Sequence, residues 1–231
     1  MKVAGIIGGI APESTIEYYR LIVAAYRERL GDGSYPALLI NSIDMQKMLG
    51  LIAAEALAAL TDYLLREIDK LARAGAEFGL LASNTPHVVF AELQQRAPLP
   101  LLSLVEAACV ATQALGLKRV GLIGTRFTMQ GSFYPAVFGR AGVELVTPNL
   151  DEQTFIHDRY VGELIHGVFL PETAARVREI IEGFQAREGI DGLILGGTEL
   201  PLLLRSGPAP AIPYLDTTKL HVERVVTEML S

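Results

Sequence analysis

Four short stretches of this 231-residue chain place polar side chains directly after apolar, strand-like runs. "SNTPH" (residues 83–87) follows "GLLA" and presents Ser83, Asn84, Thr85 and His87 almost at once. Ser83 and His87 are four apart and can share one helical face, the arrangement of a nucleophile and its base. The G-x-S-x-G elbow is absent, however, and no third orienting group is identifiable. Asn84 and Thr85 can cap a helix beginning near Pro86, which is a sufficient structural reason for both. "GGIAPEST" (residues 8–15) offers Gly8 and Gly9 for a tight turn and close backbone approach, then Pro12 for a first helical turn. The free N–H groups of that turn suit an anion, with the Ser14 and Thr15 hydroxyls beside them; a plain connecting turn is the alternative. The G-x-G-x-x-G spacing of a dinucleotide site is missing.

The other two stretches are "GTRFTM" (residues 124–129) and "GGTELPLLL" (residues 196–204). Thr125, Arg126 and Thr128 can fix a carboxylate, Arg126 through its planar fork, unless Arg126 is simply an exposed loop residue. Gly196 and Gly197 leave room for a ligand and Thr198 can cap. Glu199 is either a carboxylate facing a cleft or a solvent-facing helix-start acid.

Something must position these loops. Apolar runs at residues 2–8, 37–41, 79–82, 101–103, 119–124, 143–147, 192–195 and 212–215 read as strands. Amphipathic stretches at 14–29, 53–74, 104–115, 173–187 and 219–230 read as helices. Gly75, Gly116, Gly142 and Gly189 stand where left-handed residues close helices. Alternating strands and helices predict an α/β fold of doubly wound parallel sheets. The pattern also repeats: "VAGIIGG" and "RVGLIGT" are offset by 116 residues (119 − 3), and "LLASNTPH" has its partner in "LILGGTEL" about 114 residues later. Two pseudo-symmetric halves are therefore expected, residues 1–99 plus 216–231 and residues 100–215, with the site in the cleft between them. "RAPLPLLS" (residues 96–103) is the expected crossing, and the last helix should return to the first half.

Composition excludes several classes. Lys plus Arg number 20 against 26 Asp plus Glu, a net charge of −6 without a basic stripe, so nucleic acid is not an expected partner. No apolar run reaches the roughly 20 residues of a membrane span. The start of the chain lacks the pattern of a secretory leader, which makes the cytoplasm the expected location. The single cysteine, Cys109, sits in an apolar helical pattern and reads as a buried structural thiol. His157, His166 and His221 lack partners at ligand spacing, so no metal is expected, although His157 is close enough in pattern to reach the cleft.

Taken together, "GGIAPESTIEYYRLI", "SNTPH", "GTRFTM", "GGTELPLLL" and "PYLDTTKLH" resemble the aspartate/glutamate racemase family of cofactor-independent amino-acid racemases over nearly the whole chain. The resemblance implies two pseudo-symmetric halves, no cofactor, and a homodimer. It also implies a pair of cysteines that move the α-proton from opposite faces of the substrate. At those two positions this chain has Ser83 and Gly197, leaving His87 and Glu199 as substitute proton carriers. By the same resemblance, Gly9, Ser14, Thr15, Asn84, Thr85, Thr125, Arg126, Thr128, Met129, Thr198 and Glu199 would surround a small amino acid or dicarboxylate, its anionic group lying at helix N-termini. Serine is a poor base and glycine none, so the expected alternatives to a racemase are a non-catalytic amino-acid or dicarboxylate binder and a sibling decarboxylase or cis–trans isomerase.

Overall fold

The strands β1 (Ala4–Gly8), β2 (Leu38–Ser42), β3 (Phe78–Leu81) and β4 (Leu101–Leu102) form one parallel sheet in the order β2-β1-β3-β4. The structure, a computed structural model, describes residues 1–231. β1 and β3 are buried at every position, which explains why they read as unbroken apolar runs rather than as alternating ones. Helices α1 (Pro12–Leu30), α2 (Met45–Ala53), α3 (Leu57–Arg73) and α4 (Phe90–Arg96) connect them, with a 3-10 turn at Thr85–Val89. Alternate β1 residues feed opposite layers. Ile7 joins Met48, Leu64, Ile68 and Leu93 on one face, while Ala4 and Ile6 join Tyr18, Ile22, Val222 and Val226 on the other.

A second parallel sheet repeats that order. Strands β5 (Arg119–Gly124), β6 (Glu144–Val146), β7 (Gly192–Gly196) and β8 (Tyr214–Asp216) are arranged β6-β5-β7-β8. The helices here are α5 (Leu104–Ala114), α6 (Arg126–Gln130), α7 (Phe133–Arg140), α8 (Leu150–Gly162), α9 (Pro171–Glu188), α10 (Leu200–Leu204) and α11 (Thr217–Met229). Ile123, Leu193 and Leu195 pack against Ile156 and Tyr160 of α8 and Val177, Ile181 and Phe184 of α9. The chain divides into two compact units, Met1–Leu104 with His221–Ser231, and Val105–Leu220. The last helix accordingly lays Val222, Val225, Val226 and Met229 onto the first sheet.

The eight strands lie where the apolar runs placed them, and Gly75, Gly116, Gly142 and Gly189 all take positive φ. Three details add to that reading. The expected crossing segment carries β4, which pairs with β3. The helix expected over residues 53–74 starts only at Leu57, as α3: α2 ends at Ala53, Glu55 adopts φ 53, and the Ala56 amide turns back to the Leu51 carbonyl at 2.9 Å. An alanine-rich stretch without glycine or proline gives no written sign of such a break. Finally, α8 begins with a reciprocal capping box between Asn149 and Glu152. No helix is long and apolar enough to cross a membrane.

Candidate functional site

In each sheet the first strand is flanked by the second on one side and the third on the other. The strands all run parallel, but the side on which they are added reverses between β1 and β3, and again between β5 and β7. Such switch points open a crevice at the carboxyl ends of the two strands, where α/β proteins bind ligands. All four polar stretches leave the sheets there: residues 9–15 and 83–87 after β1 and β3, residues 125–129 and 197–199 after β5 and β7.

In the first unit the two loops are stitched together. Gly9 has φ +82, and a Cβ on it would lie 2.6 Å from the Ile43 carbonyl, so both backbone and space require glycine. Its N–H donates to Thr15 Oγ1 at 2.8 Å. The Ser14 hydroxyl donates to the Ala82 carbonyl at 2.5 Å, tying the start of α1 to the end of β3. Ser83 is half-buried, while Asn84 and Thr85 are buried. The expected side-chain cap by Asn84 is not formed; its backbone carbonyl instead accepts from the His87 N–H at 3.0 Å within the 3-10 turn.

His87 is fully engaged. Its ring stacks on Phe90 with centroids 4.8 Å apart. Nδ1–H donates to the Ser83 carbonyl at 3.0 Å, and Nε2 accepts the Leu104 N–H that opens α5 at 3.2 Å. These two bonds fix one neutral tautomer. Burial, which disfavours the charged ring, lowers its pKa to about 4. As placed, the ring offers no unoccupied nitrogen to a substrate. It anchors the backbone at Ser83.

In the second unit Thr125 caps α6, its hydroxyl accepting the Thr128 N–H at 3.3 Å and lying 3.2 Å from the Thr128 hydroxyl. Thr128 and Met129 are buried, and Met129 joins the core of this unit. Arg126 is exposed, and its backbone N–H donates to His157 Nδ1 at 3.2 Å. Burial, followed by the Arg126 charge, lowers the His157 pKa. Thr198 and Glu199 are both buried. The Thr198 hydroxyl donates to Glu199 Oε2 at 2.7 Å, and the Tyr160 hydroxyl donates to the same oxygen. Burial first, then the Glu199 carboxylate, holds the Tyr160 phenol well above its ordinary pKa.

Tyr160 escaped the sequence reading. It comes from α8, 39 residues before Glu199, and no local pattern joins the two. The capping box and the three-residue step from His157 would have placed it on the same helix as His157, but not against the β7 loop. No three His, Cys, Asp or Glu side chains gather into a group that would hold a metal.

The family model described as Asp/Glu/hydantoin racemase matches residues 7–225. A crystal structure of a candidate Asp/Glu racemase from Yersinia pestis is 30% identical and superposes with a TM-score of 0.90, covering 100% of both chains. An aspartate racemase homologue from Pyrococcus horikoshii OT3 is 32% identical with a TM-score of 0.86, again over 100% of both chains. The broad specificity amino-acid racemase RacX of Bacillus subtilis (strain 168) is 28% identical over 155 residues, 62% of this chain. That match spans 63% of the length of RacX, less than two thirds.

Proposed function

The chain belongs to the Asp/Glu/hydantoin racemase family, matched over residues 7–225, and from that premise we propose that it binds a small α-amino or dicarboxylic acid at strand carboxyl ends, those of β1 and β3 in the first unit and those of β5 and β7 in the second. The observation that carries this reading is the placement of all four polar loops at the switch points of the two sheets. α1 begins without a side-chain cap, the condition under which an anionic group can take opening helix amides. The hydroxyls of Thr15, Thr125, Thr128 and Thr198 supply short, adaptable hydrogen-bonding groups nearby.

By resemblance the reaction class is cofactor-independent racemisation. The two-thiol route that the resemblance describes is not open to Ser83 and Gly197. General acid–base catalysis contributes about 10²–10⁴-fold per group, so racemisation of aspartate or glutamate should fall by several orders of magnitude without both. A non-catalytic amino-acid binder is the second reading. It is favoured by His87, whose two ring nitrogens are occupied, and by Tyr160, which stands against Gly197.

Calorimetric titration with L- and D-aspartate, L- and D-glutamate, malate and sulfate tests binding. Exchange of the α-proton in deuterated water, followed by mass spectrometry over the same amino acids, tests chemistry. Absence of both binding heat and thermal stabilisation with every compound well above millimolar would remove the reading. Rapid exchange would assign turnover to groups other than thiols.

A further inference from the structure

We infer that Tyr160 is a positioning residue of the second unit's strand-end site: it fills the space in front of Gly197, fixes the Glu199 carboxylate, and thereby makes the site prefer an ammonium-bearing ligand over the same molecule without its amino group. The inference rests on the proposed binding of a small amino acid and adds what selects it.

Gly197 is the first observation. Its backbone lies outside the left-handed region, so conformation does not require glycine there. Space does. A Cβ at 197 would lie 2.4 Å from Tyr160 Cε2, 2.6 Å from its hydroxyl oxygen and 2.8 Å from Cζ. These atoms belong to a buried ring held inside the unit's core, not to the loose end of a flexible chain. The volume that any side chain at 197 would need is already occupied by the phenol, delivered from α8. At the end of β7, Tyr160 stands where a residue-197 side chain would stand.

The second observation is what the phenol does with its proton. It donates to Glu199 Oε2, and Thr198 Oγ1 donates to the same oxygen. Two donors from different elements define the orientation of the carboxylate. Both donors are neutral, so these two bonds orient the carboxylate and bring no positive charge to it. In a buried setting such a charge acts more strongly on a ligand than it would in water. A ligand ammonium is attracted, and a ligand carboxylate in that position is repelled. Removing the phenol oxygen while keeping the ring should loosen the carboxylate and leave the filled volume unchanged.

The experiment compares L-aspartate with succinate, and L-glutamate with glutarate, by calorimetric titration of the full chain. The wild type should bind each amino acid more tightly than its deaminated partner. Tyr160→Phe should shrink that ratio about tenfold, the scale of one hydrogen bond to a charged group, by weakening amino-acid binding with the diacid unchanged or tighter. Glu199→Gln should abolish the ratio. Binding of both members with a ratio unaltered by Tyr160→Phe would overturn the inference and leave the proposed function standing. Binding of none of the four compounds to the wild type would overturn both. A merely structural role for Tyr160 would move both affinities together, or thermal stability alone. If Tyr160→Phe fails to fold, the wild-type ultraviolet difference spectrum decides. A change in the tyrosine band with L-aspartate but not succinate supports the inference, and no change with either overturns it.

Discussion

His87 and His221 make the stability of the first unit depend on pH in a calculable way. Both rings are buried and neutral: His87 between the Ser83 carbonyl and the Leu104 amide, His221 between the Tyr18 hydroxyl (2.8 Å) and the Leu102 carbonyl (3.1 Å). Burial lowers their pKa values to about 4 and about 3, with the neighbouring His87 adding to the effect on His221. An unfolded chain takes up a proton on each near pH 6.5. Between pH 6.5 and about 4 the unfolded state therefore holds more protons than the native one, and stability falls as pH falls. Above pH 6.5 the contribution is complete. At pH 5, still above both native values, each histidine costs RT ln(1 + 10^1.5), about 2 kcal/mol, so the pair costs about 4 kcal/mol if independent. That is a large share of the 5–15 kcal/mol by which domains are stable. His157 acts in the same direction but is more exposed, so its part is smaller. Urea unfolding at pH 7.5, 6.5, 5.5 and 5.0 reads the slope, at pH values above most carboxylate titration. His87→Gln, which has no titrating group, should lose about half of the pH dependence along with some absolute stability. A flat profile between pH 7.5 and 5.0 would refute the reasoning, because it would mean these rings accept protons without loss of their partners.

Other outcomes follow from the same geometry. Ser14→Ala leaves the buried Ala82 carbonyl without its 2.5 Å partner and should cost about 1–3 kcal/mol, read as a lowered urea midpoint, with ligand affinity falling as the loops after β1 and β3 come apart. Sulfate should raise the melting temperature, and the effect should be lost when a residue with a side-chain carboxylate is placed at the start of α1 by Ala11→Asp, which supplies its own cap. Ser83→Cys with Gly197→Cys should restore little racemisation of L-aspartate or L-glutamate, followed by circular dichroism, because a Cβ at 197 meets the Tyr160 ring at 2.4 Å. Adding Tyr160→Ala should recover more activity than the double variant; equal activity would show that the ring moves aside freely.

Much of the fold is written locally. Buried parallel strands leave unbroken apolar runs such as "RVGLIG", and helix ends that need a left-handed residue leave a glycine such as Gly189. The loops were legible for the same reason, since Ser83, Thr125 and Glu199 interrupt apolar sequence where a strand must stop. The details that decide the chemistry are not local. His87 looked like an available base because its spacing from Ser83 is visible, whereas its bond to the Leu104 amide, 17 residues on, is not. Glycine at 197 looked like empty room because a sequence shows a missing side chain but not the neighbour that fills its place.

The groups around the four loops share a property that bears on what they can do. His87 is neutral with both nitrogens bonded, Tyr160 is a neutral phenol well above its ordinary pKa, and Thr15, Thr125 and Thr198 act through hydroxyls. Groups of this kind hold a shape across neutral pH, since none of them changes charge there. Removing an α-proton demands the opposite, a group that readily gains and loses a proton at the pH of the reaction. Of the buried side chains at these strand ends, Glu199 is the one whose ordinary chemistry includes a negative charge at neutral pH, and two hydroxyl donors engage one of its oxygens. The bonds from Tyr160 and Thr198 that suit Glu199 for orienting an ammonium group also occupy the oxygen on which a proton from carbon would otherwise land.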